Sequence, residues 1–147
     1  MSRFKKQSHA IYQCKYHIVW CPKYRYRVLG GEVGRFVENA IRSLCEWKGI
    51  DVMELKVRED HVHAVLEIPP RLSVSEAMGV LKGKTAIKVF KSFKGLRKKP
   101  YWGNHLWSRG YCVSTVGLDE EKIRKYVRYQ EEKEKEEEAG QQQFGLF

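Results

Sequence analysis

The chain has 147 residues, 42% hydrophobic and 31% charged, which suits one domain with a sizeable core and excludes a disordered chain. No apolar run reaches the roughly 18 residues that span a bilayer, and no apolar signal region follows the basic N-terminus, so a cytoplasmic protein with no membrane partner is expected. The net charge of +10 is uneven: residues 1–117 hold 22 Lys and Arg against 9 Asp and Glu, and residues 118–147 hold 6 against 9, so the basic body points to a polyanion, nucleic acid first.

The four cysteines, Cys14, Cys21, Cys45 and Cys112, form no C-x-x-C pair. Reduced, mostly buried thiols are expected, and a structural zinc site is not.

Ile11 to Cys21 reads as the first strand. Tyr12, Cys14, Tyr16, Ile18 and Trp20 share one parity, and Gln13, Lys15 and His17 the other. Pro22 ends it. Lys23-Tyr24-Arg25-Tyr26-Arg27 then alternates cations with aromatics, a pattern that can pair phosphates and stack bases. A short exposed strand or loop is the alternative. Gly30-Gly31 breaks the chain, and Val33, Val37, Ala40, Leu44 and Trp47 mark one stripe of a helix that Gly49 stops. Ile50 to Val57 reads as a second strand, followed by a tight polar turn at Arg58-Glu59-Asp60.

The third strand is the informative one. In His61-Val62-His63-Ala64-Val65-Leu66-Glu67-Ile68 the apolar Val62, Ala64, Leu66 and Ile68 share a face. His61 and His63 share the other, about 7 Å apart by the strand rise. Two such imidazoles can lean onto one cation. Two solvent-facing histidines are the alternative.

Ser73-Val74-Ser75-Glu76 matches a capping box, so a helix begins near Val74. From Lys82 to Lys99 it carries eight cations and no acid, including Lys82, Lys84, Lys88 and Lys91. Such an unrelieved run suits phosphates, and a solvated basic face is the alternative. Pro100 to Asn104 reads as a loop, and Leu106 to Thr115 as the fourth strand. Asp119 is a plausible N-cap for a last helix. On it Ile123, Tyr126, Val127 and Gln130 share a face, with Tyr129 well off it. Glu131 to Glu138 is nearly all charge and is expected to be solvated. The expected fold is α+β: a ferredoxin-like βαββαβ antiparallel sheet with helices on one face and an added C-terminal helix. One domain is expected over 1–138, with a flexible tail over 139–147.

Two imidazoles and a neutral amide oxygen would leave a divalent cation its full charge, available to polarise a phosphodiester. A tyrosine close by could then attack phosphorus, given something to assist its ionisation.

His61-Val62-His63 is an HUH motif. With a lone helical tyrosine and a glutamine four residues later, it resembles the single-tyrosine HUH transposases of the smallest insertion sequences, which move as single-stranded DNA. His17-Ile18-Val19-Trp20-Cys21-Pro22-Lys23-Tyr24-Arg25 and Leu106-Trp107-Ser108-Arg109-Gly110-Tyr111 are similar to that family too, and the likeness covers roughly residues 9 to 131. The resemblance implies a bacterial or archaeal enzyme. Tyr126 matches the nucleophile, and His61, His63 and Gln130 match the ligands of Mg²⁺ or Mn²⁺. It implies cleavage and rejoining of single-stranded DNA near hairpins at element ends, through a 5′-phosphotyrosine and without ATP. It implies a homodimer whose sheets join. Lys23, Arg25, Lys82, Lys84, Lys88 and Lys91 are the candidate DNA-binding cations. The rival readings are a related HUH initiator, relaxase or repeat-associated transposase, a metal nuclease using water, and a non-catalytic single-strand-binding module.

Overall fold

In the computed structural model, residues 4–98 and 105–143 are described, with side chains at all of them except 97–98 and 141–143. In order come β1 (Lys5–Gln7), β2 (Ala10–Tyr12), β3 (Lys15–Trp20), α1 (Gly31–Lys48), β4 (Asp51–Arg58), β5 (His61–Glu67), α2 (Val74–Ser92), the short α3 (Gly95–Lys98), β6 (Cys112–Ser114) and α4 (Glu120–Gln143). The main sheet has the order β4-β5-β3-β6, and every neighbouring pair is antiparallel. From β3 onward this is the expected ferredoxin-like βαββαβ arrangement with an added C-terminal helix.

Strand alternation sorts the layers. Ile18, Trp20, Val62, Ala64 and Leu66 are fully buried and join one core with Val37, Ile41 and Leu44 of α1 and Ala77, Met78 and Leu81 of α2. Val19, between Ile18 and Trp20, points the opposite way and joins a separate cluster with Ile123 and Val127. So α1 and α2 cover one face of the sheet, and α4 covers part of the other.

Local signals explain the boundaries. The Ser73 hydroxyl accepts from the Glu76 backbone N–H at 3.0 Å and donates to the Glu76 carboxylate at 3.2 Å. Gly49 ends α1 in the left-handed region at φ 71°. Asp119 accepts the Lys122 N–H at 2.9 Å, as an N-cap should. Near the start of α1, a Cβ on Gly34 would lie 2.1 Å from the Leu29 carbonyl oxygen, so only glycine fits that crossing.

Several expectations change. The strand expected over Ile11–Cys21 divides: Ala10–Tyr12 pairs with Lys5–Gln7 in a separate hairpin, and Lys15–Trp20 enters the main sheet. The fourth strand, expected over Leu106–Thr115, shrinks to Cys112–Ser114. The chain before it is held otherwise. Ser108 donates its N–H to the Cys21 carbonyl and its hydroxyl points to the Pro22 carbonyl, while Gly110 takes φ 85°. Helix α4 continues to Gln143, past the tail boundary expected at 138. The loop expected at 100–104 and the tail at 144–147 lie outside the described residues.

Candidate active site

His61 and His63 stand on the face of β5 turned away from α1 and α2. In register, His63 lies beside Lys56 of β4 and Val19 of β3, and His61 beside Arg58. His63 is only 8% exposed, and its Nε2 is buried with no hydrogen-bond partner. Its ring stacks on His17 of β3, with centroids 6.0 Å apart and planes 27° apart. Burial pushes its pKa below the ordinary imidazole value, although Glu54 pulls the other way. His63 is therefore a neutral imidazole near pH 7, the form that ligates metal.

His61 is held through its other nitrogen. Nδ1 lies 2.9 Å from one oxygen of Asp60, and the second Asp60 oxygen accepts from Arg25 Nε at 2.9 Å. Burial raises the Asp60 carboxyl, but the hydrogen bonds from His61 and Arg25 outweigh it and hold the group below the ordinary carboxylate value. Arg25 sits in a single tight turn, Lys23–Arg25, in which Tyr24 and Arg25 take φ of 59° and 54°. The sequence offered this segment as a strand or loop, and it is a left-handed turn.

Helix α4 supplies the remaining candidates. Tyr126 packs on the cluster of Val19, Ile123 and Val127, next to Cys112. Val19 is the register neighbour of His63, so the tyrosine's packing site is one strand from the imidazole. The Tyr126 hydroxyl is buried with no hydrogen-bond partner. Burial, chiefly, pushes its pKa above the ordinary phenol value, with Cys21, Cys112, Tyr129 and Glu134 acting the same way. Tyr129 is 55% exposed, off the packed face as its position in the sequence implied. Gln130 is buried, but its amide nitrogen donates to the Arg109 carbonyl. The structure thus pairs the two histidines, sets Tyr126 and Gln130 over the same sheet face, and ties the Gln130 amide N–H to the 108–110 segment.

Three residues near the site were given no site role by the sequence reading. His17 was read as a strand residue at the head of a family-like stretch; its parity, shared with the face opposite Ile18, was the available signal. Asp60 was read as turn polarity leading into the family-like His61-Val62-His63. Glu134, in the stretch expected to be solvated, is instead buried: it accepts the Ser108 hydroxyl at 2.6 Å and the Tyr24 N–H at 3.0 Å. Nothing in the run of charge from 131 to 138 singled it out.

The six candidate DNA cations separate. Lys82 donates to the carbonyls of Ser108 and Gly110, at 2.8 Å each, and so works as a clamp inside the protein. Arg25 is engaged with Asp60. Lys23 lies over the Tyr24 ring. Lys84, Lys88 and Lys91 line an open groove between α1 and α2 of about 670 Å³, with Phe36, Trp47 and Ile87. Trp47 is 62% exposed, with Lys48 and Lys84 beside its ring face. That is a surface of cations around an exposed aromatic, suited to phosphates and a stacked base.

The donor set fits a hard divalent cation in part. His61, with Nδ1 occupied, has Nε2 to offer, and the partnerless Nε2 of His63 matches it. Among the described residues no three His, Cys, Asp or Glu side chains converge, so a neutral oxygen or the substrate would have to complete the shell. Among the described residues, no helix is long and apolar enough to cross a membrane.

Comparison with known proteins gives concordant matches. Residues 10–130 match the family described as "Transposase IS200 like". The chain is 44% identical over 131 residues to the transposase for insertion sequence element IS200 of Salmonella typhimurium, covering 89% of this chain and 86% of that one. It is 36% identical over 131 residues to the ISDra2 transposase TnpA of Deinococcus radiodurans, covering 88% and 93%. The crystal structure of a putative transposase from Deinococcus radiodurans superposes with TM-score 0.76 at 32% identity, covering 86% of this chain and 97% of that one. A REP-associated tyrosine transposase bound to a REP hairpin shares the fold, with TM-score 0.52 at 15% identity over 85% and 68%.

Proposed function

This chain belongs to the IS200-like transposase family, and we propose that it cleaves and rejoins single-stranded DNA at hairpin-marked element ends, with Tyr126 as nucleophile. One observation carries the residue assignment: a buried imidazole nitrogen on His63 and a buried hydroxyl on Tyr126, both without partners, lie over the same sheet face. Buried polar atoms normally find partners. Two orphans on one sheet face suit a site completed by substrate.

His61 and His63, with Gln130, would hold Mg²⁺ or Mn²⁺. That ion, when bound, draws charge from the phosphate oxygens and lowers the barrier to attack. Tyr126 Oη attacks phosphorus as its proton is lost to solvent. The P–O bond to tyrosine forms, the P–O3′ bond breaks, and the departing 3′ oxygen takes up a proton. The phosphoester bond is conserved in the 5′-phosphotyrosine, so a 3′-hydroxyl can reverse the step without ATP. On this reading the present arrangement is a resting one, supported by two features. The Tyr126 phenol is shielded and held protonated, and the Gln130 amide donates to Arg109. Release of α4 from that contact, in its own subunit or across a homodimer, would bring both to the histidines. Lys84, Lys88, Lys91 and Trp47 would receive DNA on the opposite side of the sheet. The protein would act in the cytoplasm.

Labelled hairpin-bearing single-stranded DNA, Mn²⁺ and a denaturing gel test this. A shifted covalent band is expected with the wild type and Tyr129→Phe and is lost in Tyr126→Phe. Cleavage with no covalent band would instead assign the attack to water, and binding with neither would leave a single-strand-binding module.

A further inference from the structure

We propose that Asp60 and Arg25 are positioning residues: the Asp60 carboxylate fixes His61 as the Nδ1–H tautomer with Nε2 free for a cation, and Arg25 ties that carboxylate to α4. The inference rests on the reading of His61 as a metal ligand.

A neutral imidazole carries one N–H, and an ionised carboxylate only accepts. With Asp60 Oδ1 at 2.9 Å, Nδ1 must be the donor, and the lone pair is left on Nε2. The other Asp60 oxygen takes Arg25 Nε at 2.9 Å, so neither oxygen is free to swing away. Asp60 and His61 side chains are each 17% exposed, which shelters the pair from competing water. A carboxylate behind a ligating histidine is a general device for setting tautomer and ring orientation, and its loss typically weakens metal binding about 10–100-fold.

The guanidinium has a second reach. Arg25 Nη1 lies 4.0 Å from the Glu131 carboxylate, on the residue after Gln130. The preceding residue, Tyr24, gives its backbone N–H to Glu134, one turn further along α4. The left-handed turn that makes both contacts is strained by roughly 1–2 kcal/mol at each of two non-glycine residues. Strain of that kind persists where neighbours overdetermine it, and here α4 does so twice. The helix bearing Tyr126 and Gln130 and the imidazole of His61 are therefore referenced to one turn.

The bland alternative is an ion pair that only staples the turn. Long-range proton–nitrogen NMR of the metal-free full chain, with His61 assigned by comparison with His61→Gln, separates the two without any substitution at Asp60. At pH 8 the Nδ1–H form is expected, and an Nε2–H form would overturn the proposal. A Mn²⁺ titration followed by electron paramagnetic resonance supplies the second arm. Asp60→Ala is expected to bind about 10–100-fold more weakly. Asp60→Asn keeps an acceptor for Nδ1–H and should stay within about threefold of wild type, and Arg25→Ala should fall between. If Asp60→Ala binds like wild type, the positioning role is wrong while the metal site stands. If Asp60→Asn loses as much as Asp60→Ala, Asp60 is itself a ligand and the proposal fails. If the wild type binds no Mn²⁺, the metal reading fails, and the tautomer alone still decides whether Asp60 orients His61.

Discussion

The two faces of the four-stranded sheet are buried by opposite means. Under α1 and α2 the sheet presents Ile18, Trp20, Val62, Ala64 and Leu66, all with no exposed surface. Among the described residues there, the Trp20 indole nitrogen is buried without a partner. Other buried polar groups on that side pair. Trp107 Nε1 donates to Thr85, whose hydroxyl donates to the Leu81 carbonyl a turn back. On the other face His17, His63 and Glu67 each keep a buried, partnerless atom, and the Tyr126 hydroxyl adds a fourth. Each such atom costs roughly 1–3 kcal/mol. The helix side thus holds most of the apolar packing, and the other face holds more of the partnerless polar atoms.

The sharpest way to break this contrast is substitution on the helix side. Trp20→Ala should lose about 3–5 kcal/mol in urea unfolding. Thr85→Val keeps the shape but strands the Trp107 N–H, and should lose about 1–3 kcal/mol by the same measurement.

Burial pushes the Cys45 thiol up to about 12, against a value near 9 when unfolded. The folded state then holds the proton more tightly. Its contribution is fully present below about pH 9 and is lost as the pH rises through 12. Unfolding midpoints should therefore fall on the alkaline side, by roughly 1–2 kcal/mol at pH 10. Alkylation of Cys45 at pH 8 should be negligible until the chain unfolds.

The smallest loss of stability is expected on the other face. His63→Leu should lose nothing in urea unfolding and gain up to about 3 kcal/mol, because a partnerless nitrogen is replaced by an apolar group of similar size. The same variant should lose covalent DNA capture. A loss of stability as large as that of Trp20→Ala would erase the distinction between the faces.

The helix side was the more legible of the two. Period-2 alternation placed Val62, Ala64, Leu66 and Ile68 inward and His61 and His63 outward, and the caps at Ser73, Gly49 and Asp119 stood where their side chains or missing side chain required. What the sequence hid is non-local. The β1–β2 hairpin begins in Lys5-Lys6-Gln7, which carries no apolar rhythm. Leu106 to Thr115 read as one strand, but Lys82, far away in the chain, captures the carbonyls of Ser108 and Gly110. That contact occupies two of the three N–H donors of Lys82 within the protein. Glu134 looks like any other acid of its helix until Ser108 and Tyr24 are folded against it. Local patterning reports which face a side chain takes; it cannot report a hydrogen bond to a distant loop.

Gly34 shows how such hidden constraints can mislead. Its missing side chain admits the Leu29 carbonyl where a methyl group would collide. A saturation screen scored only on mobility of an element would rank Gly34 with the histidines as indispensable, and invite a chemical role for a residue that has none. Counting intact protein alongside mobile elements would return it to architecture.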